Sequence, residues 1–327
     1  MNAALISIIA PCFNGEHYIG RFLDSILAQT YPNIELILIN DGSKDKTEEI
    51  IMSYKPQLEQ KGIILKYEYR ENAGIGAAID RGLKLISGEY FTWLGTDDFC
   101  HPDFLQKLVD FMNAHPQYSV VRNDGYIVQE SDPSIIIGKM ADHNHDKHNE
   151  KPFINAILER NFNFGYSLVR TKDFFKVCPN KTIYPSRQGQ NWQILLPLFY
   201  YGKAAFFEEP LYYVVSNQNS VSRNPAKNGM EAFIAQREEH KNILVHTILS
   251  MNLPKKENDY YLKLINIKYI RVKLQIAYQY HNKTLFKSQY ALLKKHNAIS
   301  LRDLIRYVQF HLPWIDKLIK IIRRRRN

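Results

Sequence analysis

The amino-acid sequence predicts an α/β fold with a helical region appended at its carboxyl end. Up to about residue 125, short apolar runs alternate with segments of helical periodicity, which is typical of a mostly parallel sheet flanked by helices. After about residue 224 the periodicity is helical throughout. The chain has 327 residues, 45% of them hydrophobic, enough for one large domain and an appendage. We expect a domain at 1–223, with halves 1–125 and 126–223, and a helical region at 224–327.

Strands and helices alternate regularly in the first half of the chain. Apolar runs predict strands at Leu5–Ala10, Ile34–Asn40, Ile63–Tyr69, Tyr90–Leu94 and Ser119–Arg122. Helical spacing of apolar residues predicts helices at Tyr18–Gln29, from Thr47, at Gly76–Leu85 and at Pro102–Asn113. Pro102 fits the first turn of its helix, because a helix needs no N–H there.

The second half of the chain is less regular. Periodicity fails from Gly125 to Lys151, which predicts a long loop. The run Asp142–His148 resembles a metal cluster, but its ligands are closely spaced without an apolar shell, which favours a solvated loop. Mixed elements follow: helices Phe153–Arg160, from Thr171, and Asn191–Tyr200, and strands Gly165–Val169, Ala204–Glu208 and Leu211–Val215. The remainder is predicted to be helical at Met230–Met251, Asn258–His281, Thr284–Asn297, Ser300–Phe310 and, as an amphipathic segment, Leu312–Arg326.

Composition and the amino-terminal segment exclude several classes of protein. The chain has an odd number of cysteines, Cys12, Cys100 and Cys178, without metal-ligand spacing, which indicates a reducing compartment rather than a disulfide scaffold. The first residues lack the basic start and the cleavage site of a signal peptide, and we interpret them as the first buried strand. No apolar run reaches the roughly 18 residues that a membrane-spanning helix needs.

The most informative segment is an apolar strand that ends in two adjacent carboxylates, Trp93-Leu-Gly-Thr-Asp-Asp98. In open α/β sheets, ligands bind at the carboxyl ends of the strands. Adjacent carboxylates repel unless a cation or a proton lies between them, and divalent cations often join carboxylates to substrate phosphates. The alternative is that Asp97 and Asp98 cap the helix predicted near Pro102.

Four segments at predicted strand ends together resemble the family-2 glycosyltransferases, whose nucleotide-sugar domain has the Rossmann-like GT-A fold. They are S7-I-I-A-P-C-F-N-G-E16, L38-I-N-D-G-S43, R70-E-N-A-G-I-G76 and L94-G-T-D-D98. The resemblance is strong over residues 5–125 and weak over 150–223. It implies a transferase that takes a sugar from a nucleotide donor bound by the 1–125 half.

The resemblance assigns donor-binding roles where residues match. Phe13 replaces the family's usual Tyr and can stack on a uracil face, whereas the alternative is core packing. Asp41 matches the acid that accepts a hydrogen bond from uracil N3–H, which implies a UDP-sugar, whereas the alternative is a simple turn residue. Gly74 and Gly76 permit close backbone approach. The expected donor site comprises Pro11, Phe13, Asn14, Glu16, Asp41, Ser43, Arg70, Asn72, Gly74 and Thr96.

The resemblance also implies a metal ion. Asp97 aligns with the acid that holds Mn²⁺ or Mg²⁺ against the diphosphate of the donor, where the cation neutralises the leaving nucleotide. The family's usual motif is Asp-X-Asp-Asp, and its first acid is Gly95 here. Shortened Thr-Asp-Asp versions occur in the family, so a metal is still expected.

The sequence departs from the family at the general base. The family's Glu-Asp pair at the start of a helix is replaced by Gln190-Asn191, and an amide cannot accept a proton near neutral pH. We expect both amides to bind acceptor hydroxyls, and Asp98, Asp124 and Asp142 are candidate replacements for the base. The catalytic candidates are therefore Asn191, Gln190 and Asp98. A later segment, N219-S-V-S-R223, resembles the loop that closes over the diphosphate in the family.

Charge is concentrated at the carboxyl end of the chain. The net charge is +10, and residues 263–327 carry about +14, with sixteen Lys or Arg against two acids. The segment W314-I-D-K-L-I-K-I-I-R-R-R-R326 combines apolar residues with a basic block, as helices that lie in a membrane interface do. The alternatives are a helix packed on the domain and, without any recognised module, a nucleic-acid-binding tail, which we do not expect.

Together these features predict an inverting, metal-dependent glycosyltransferase. It would transfer a hexose or N-acetylhexosamine from a UDP-sugar to a saccharide or lipid-linked saccharide in surface polysaccharide or lipopolysaccharide biosynthesis. It would be cytoplasmic and peripheral on the inner face of the membrane, held to anionic lipid by its tail. The alternatives are a nucleotide-sugar-binding protein with impaired transfer and a dinucleotide-binding oxidoreductase. The oxidoreductase is disfavoured because no G-x-G-x-x-G follows the first strand.

Overall fold

The computed structural model describes residues 3–143, 151–159, 164–216, 229–312 and 314. The chain divides into two compact units, Met1–Gln218 with Leu249–Met251, and the remaining residues up to Asn327. The predicted domain boundary at residue 223 lies outside the described residues and stays a prediction. So do most of the polar run Asp142–His148, the segment Asn219–Arg223 and nearly all of the basic tail.

One mixed sheet organises the first unit. Among the described residues its strands are β1 (Ile6–Cys12), β2 (Ile34–Asn40), β3 (Ile64–Tyr69), β4 (Tyr90–Trp93), β5 (Phe99–Cys100), β6 (Val120–Gln129), β7 (Asp132–Lys139), β8 (Tyr166–Arg170) and β9 (Ala204–Ser216). The strand order is β3-β2-β1-β4-β8-β6-β9-β5, and β7 pairs with β6 beside this path. Strands β3, β2, β1 and β4 are mutually parallel, whereas β8 joins both β4 and β6 in antiparallel ladders.

The helices of the first unit lie at the predicted places in the sequence. They are α1 (Ile19–Leu27), α2 (Thr47–Gln60), α3 (Ile75–Leu85), α4 (Phe104–Ala114), α5 (Pro152–Leu158), α6 (Thr171–Val177) and α7 (Gln190–Tyr201). The buried faces of α1 and α4 pack with β1 and β2 in one apolar core. Every residue of β2 is buried, as expected for a strand covered on both faces. The predicted α/β class is confirmed.

A buried carboxylate joins the central strands. Glu35 on β2 is 1% exposed and pairs with Lys66 on β3 at 2.6 Å. The Ser7 hydroxyl on β1 and the backbone and hydroxyl of Ser87 also donate to Glu35. Burial alone would raise the pKa of Glu35, but these donors outweigh it and hold the pKa below its ordinary value.

Two predictions about the second half of this unit are wrong. The expected loop after Gly125 is largely the hairpin of β6 and β7, followed by a 3-10 turn at Met140–His143. Register shifts interrupt the pairing of β6 with both β7 and β9, so the residues do not alternate as a regular strand would. The two strands predicted around Pro210 form a single strand, β9, whose proline lies at one of these shifts, where a missing N–H is tolerated. The short strand β5 was not predicted.

The second unit is helical in its described residues. Its helices are α8 (Gly229–Ser250), α9 (Lys255–Gln279), α10 (Lys283–Lys295) and α11 (Leu301–His311), close to the predicted bounds. A core of Ile270, Leu274, Ala277, Phe286 and Leu293 holds α9 and α10 together. Among the described residues, no helix combines the length and apolar character needed to cross a membrane.

Candidate active site

The predicted donor motifs all meet at one edge of the sheet. The parallel strands β1, β2 and β3 end at Cys12, Asn40 and Tyr69, immediately before Phe13, Asp41 and Arg70. Strand β4 ends at Trp93, just before the Leu-Gly-Thr-Asp-Asp turn. The carboxyl ends of parallel strands lie along one edge of a sheet, so the motifs that follow these strands form one continuous rim.

The first two motifs are joined by hydrogen bonds. The backbone N–H of Asn14 donates to Ser43 Oγ at 2.9 Å, and Asn14 Oδ1 accepts from the Lys44 N–H at 2.9 Å. Glu16 accepts from the Lys46 N–H at 3.1 Å, and its own N–H donates to Asp45 at 3.0 Å. Asp45, which was not among the predicted site residues, also accepts the N–H of Thr47 at 3.1 Å. Three of the predicted donor residues, Asn14, Glu16 and Ser43, therefore shape this loop pair directly.

Phe13 projects from the rim into solvent. Its side chain is 46% exposed, so the alternative of core packing is wrong. A large exposed aromatic face at the end of a buried strand is available for stacking on a planar ligand. Its role as the base-stacking residue stays a prediction.

Asp41 holds the third motif in place. Its carboxylate is buried and accepts the N–H groups of Ala73 at 3.1 Å and Gly74 at 2.8 Å, while Arg70 Nε lies 3.5 Å away. The Asn72 amide donates to the Asp41 carbonyl at 3.0 Å. Each carboxylate oxygen retains a second lone pair, so Asp41 can support the loop and still accept from a ligand.

Gly74 and Gly76 lie in close contact with another segment of the same chain. Gly74 has φ +94°, and a Cβ there would lie 2.9 Å from the Cα of Arg187. The N–H of Gly76 donates to the Ser186 carbonyl at 2.8 Å, and a Cβ on it would lie 2.6 Å from that oxygen. Gly74 and Gly76 therefore admit the segment that leads to Gln190 and Asn191, and their part in donor binding stays a prediction.

The two carboxylates after β4 have different environments. Asp98 is buried and accepts from the Tyr166 hydroxyl at 2.5 Å and from the Val215 N–H at 2.8 Å. Burial, followed by the charge of Asp98, raises the pKa of Tyr166 well above its ordinary value. The Tyr166 ring stacks on Tyr212, whose hydroxyl donates to the Gly95 carbonyl at 3.2 Å. Asp98 therefore anchors the turn, which disfavours it as the base.

Asp97 is exposed, and no described residue donates a hydrogen bond to its carboxylate. Its backbone carbonyl accepts from Arg21 at 2.7 Å, and the neighbouring Thr96 hydroxyl donates to the Pro11 carbonyl at 3.3 Å. Helix α4 has Asp103 at its N-cap, so neither Asp97 nor Asp98 caps it. The described residues contain no group of three or more His, Cys, Asp or Glu side chains that could hold a metal ion, and Asp97 shares its cavity with Asp98.

Gln190 and Asn191 form the first turn of α7 behind Gly189, which has φ +75°. The indole N–H of Trp93 donates to Asn191 Oδ1 at 2.7 Å, which leaves the amide NH₂ to donate elsewhere. Both amides line a cavity of about 280 Å³ together with Trp93, Asp97, Asp98 and Tyr166. The predicted metal ligand and the predicted acceptor amides thus share one cavity.

The family follows from comparison with known proteins. The sequence model of glycosyl transferase family 2 matches residues 7–207, more than half of the chain. The chain belongs to glycosyl transferase family 2. The predicted family and enzyme class are therefore confirmed.

The relatives of this family 2 glycosyltransferase are bacterial. An uncharacterised glycosyltransferase of Rickettsia typhi is 44% identical over 122 residues, 37% of this chain and 36% of the relative. Glycosyltransferase GlyA of Streptococcus pneumoniae is 30% identical over 56% of this chain and 24% of its own length. An uncharacterised glycosyltransferase of Haemophilus influenzae is 28% identical over 99% of this chain and 97% of its own. The match to the Rickettsia typhi protein thus spans about a third of that relative.

Solved structures of other glycosyltransferases share the fold. Residues 1–349 of Staphylococcus aureus TarS with UDP-GlcNAc have a TM-score of 0.63 at 18% identity, and the match covers 87% of this chain and 78% of that fragment. The Pyrobaculum calidifontis mannosyltransferase PcManGT with GDP-Man and Mn²⁺ has a TM-score of 0.53 at 14% identity, covering 94% and 80%. At these identities the comparison shows the fold alone, and it confirms the predicted GT-A-like architecture.

In this glycosyltransferase two further acids were candidates for the base. Asp124 is buried and accepts the N–H groups of Gly125 at 2.8 Å and Ala141 at 2.9 Å, and burial raises its pKa. Asp142 is exposed and accepts from the Lys139 N–H at 2.8 Å. Met140, between them in sequence, lines the cavity, whereas neither carboxylate does. The general base therefore stays unassigned.

Proposed function

We propose that this glycosyltransferase is an inverting enzyme that uses a divalent cation to transfer a hexose or N-acetylhexosamine from a UDP-sugar to a saccharide. The observation that carries the proposal is the unpaired carboxylate of Asp97 in the cavity that Gln190 and Asn191 also line. An exposed carboxylate without an internal partner fits Mg²⁺ or Mn²⁺, which keep several waters and take one or two carboxylates plus substrate phosphates.

In this proposal, each site residue contacts a different part of the donor, the cation or the acceptor. Phe13 offers its face to the base, and Asp41 offers the free lone pairs of its carboxylate to the uracil N3–H. Asp97 would hold Mn²⁺ or Mg²⁺, which supplies positive charge to the leaving diphosphate. The free NH₂ groups of Gln190 and Asn191 donate to oxygens of the acceptor and orient the attacking hydroxyl.

The reaction is a single displacement at the anomeric carbon of the donor. The acceptor oxygen forms the new C–O bond while the bond to the diphosphate oxygen breaks, so the configuration inverts. The hydroxyl proton leaves to water as the new bond forms, because neither Gln190 nor Asn191 accepts it near neutral pH. The absence of a carboxylate at positions 190 and 191 supports the second candidate function, a nucleotide-sugar-binding protein with impaired transfer.

The proposed acceptor is a saccharide, free or lipid-linked, in surface polysaccharide or lipopolysaccharide biosynthesis. The charge of about +14 over residues 263–327 supports a peripheral position on the anionic inner face of the membrane. The chain would then be cytoplasmic and would meet its acceptor at that surface.

Donor turnover tests the proposal. Release of UDP, GDP and CMP from their sugar donors is measured with and without Mn²⁺, using free and lipid-linked saccharide acceptors. We expect turnover of a UDP-sugar that requires Mn²⁺ and is lost in Asp97→Asn, because that variant removes the charge but keeps the shape. Asp110→Asn, an exposed carboxylate on α4, is the matched control and should leave turnover unchanged.

The outcomes separate the two candidate functions. Tight Mn²⁺-dependent UDP binding without turnover on any acceptor would favour the binding protein. Unchanged Mn²⁺ dependence in Asp97→Asn would refute the assignment of the metal ligand.

A further inference from the structure

Helix α11 presents a continuous aliphatic stripe to solvent. Leu301, Leu304, Ile305, Val308 and Leu312 follow the spacing of one helix face, and each is between 42% and 72% exposed. Isolated exposed aliphatic residues are common, but a row of this length on one face indicates a binding surface. We call these five residues the α11 stripe.

The opposite face of α11 is firmly attached to the helical unit. Asp303 is 1% exposed and pairs with Arg271 of α9 at 3.1 Å. The Phe310 ring stacks on Phe286 of α10 with centroids 3.9 Å apart. The reciprocal bonds of Ser300 and Asp303 also cap the first turn. The exposure of the stripe therefore follows from the packing of the helix rather than from a loosely held end.

The sequence around the α11 stripe is cationic. Residues 280–312 contain six Lys or Arg and a single acid, Asp303, whose charge is already paired with Arg271. Arg302 is exposed on α11 itself, and the exposed Lys294 and Lys295 end α10. An aliphatic face bordered by bases is the composition of helices that lie in the interface of an anionic bilayer.

We propose that α11 docks on an anionic lipid membrane, with its stripe against the acyl chains and its bases among the headgroups. A second copy of this chain fits poorly, because it would bring the same positive charges against each other. The inference extends the membrane partner proposed above from the tail to α11, and it does not require sugar transfer.

Vesicle co-sedimentation of the full chain tests this docking. Vesicles of phosphatidylglycerol with phosphatidylcholine are compared with phosphatidylcholine alone. The double variant Leu304→Ser/Val308→Ser should weaken binding to the anionic vesicles at least about tenfold, because it removes apolar area from the bilayer contact. Arg302→Gln should weaken the same binding and make it less sensitive to salt.

The matched control is Ile64→Ser/Leu249→Ser. It removes two aliphatic side chains of similar exposure, 51% and 50%, that are outside the stripe. The control should bind vesicles as the parent does. Circular dichroism and thermal unfolding establish that each variant is folded, and turnover of a UDP-sugar with a soluble acceptor is measured in the same preparations. Loss of vesicle binding with unchanged turnover therefore supports the docking independently of the proposed function.

Further results decide whether the stripe binds a membrane or another occupant. A chain truncated after Leu312 should retain stripe-dependent binding, although weaker. Equal binding of parent and stripe variant would overturn the proposal, and so would complete loss of binding in the truncated chain. Light scattering that shows a dimer dispersed by the stripe variant would replace the membrane with a second copy.

Discussion

Replacing Asp41 with Ala separates two roles that its carboxylate can have. In the structure it accepts the N–H groups of Ala73 at 3.1 Å and Gly74 at 2.8 Å, and Arg70 lies 3.5 Å away. A buried donor left without a partner costs about 1–3 kcal/mol, and water entering the vacated space recovers part of it. We expect Asp41→Ala to lower the free energy of unfolding by about 2–4 kcal/mol, which corresponds to about 4–16 °C in Tm for a unit of this size.

The nucleotide preference reports the second role. If Asp41 accepts from uracil N3–H, the variant should lose about 1–3 kcal/mol of UDP binding beyond its loss of GDP binding, or about 5–150-fold in the ratio of Kd values. The assay is calorimetric titration of UDP and GDP in the presence of Mn²⁺. Arg70→Gln is the matched control, because it disturbs the same loop without removing the carboxylate. It should weaken both nucleotides equally.

Two results would refute this reasoning. Equal binding of UDP and GDP by the unmodified protein would show that Asp41 does not read the base. An Asp41→Ala variant that weakens UDP and GDP by the same factor would restrict Asp41 to holding the Ala73–Gly74 backbone.

Three other substitutions or deletions test separate features. Gly76→Ala should lower stability by about 1–3 kcal/mol and raise the KM for the acceptor, because the new Cβ displaces Ser186. The control Gly20→Ala, whose new Cβ has one contact at 3.4 Å, should change neither quantity. An unchanged KM in Gly76→Ala would contradict the link between Ser186 and the acceptor site. Glu35→Gln should lower stability near pH 7 by about 2–4 kcal/mol. Because the pKa of Glu35 is lowered in the fold, the parent keeps this contribution above the ordinary glutamate pKa and loses it as pH falls through the folded value, so urea unfolding in acid should converge for the two proteins. Deleting the residues after Leu312 should leave UDP binding unchanged and reduce salt-sensitive binding to anionic vesicles. Equal sedimentation of the full and truncated chains would show that the tail does not contribute to membrane binding.

The parallel half of the fold was predictable from sequence because its strands are short, mostly apolar runs separated by segments of helical periodicity. β2 was predicted residue for residue, because Ile and Leu fill five of its seven positions and turn residues flank it on both sides, Pro32-Asn33 and Asp41-Gly42. β6 was predicted only at its start, Ser119–Arg122, and β7 was missed, because their ladder shifts register and shifted strands lose the period of two. The three isoleucines Ile135–Ile137 give no alternation either, since all are exposed on an edge strand.

The position of the site was predictable, whereas the environment of each residue was not. The predicted strand ends placed Phe13, Asp41 and Asp97 at one edge of the sheet, where the structure also has them. The sequence could not distinguish Asp97 from Asp98, because the partners that engage Asp98, Tyr166 and Val215, are distant in the chain. The same holds for the glycines of the third motif, whose neighbour at Ser186 is visible only in three dimensions.

Gly95 has a consequence for the order in which ligands would bind. A Cβ at this position would lie 2.8 Å from Asp97 Oδ1, so the carboxylate of Asp97 fills the space that the family's first acid would need. In the proposed site Asp97 and Asp98 are the carboxylates of the described residues that line the cavity, so most ligands to the cation must come from the diphosphate and from water. Metal affinity in the absence of donor should accordingly be weak, and the cation and nucleotide should bind as a pair. An acid restored at position 95 would require the Asp97 carboxylate to move, because the new Cβ would otherwise contact its Oδ1.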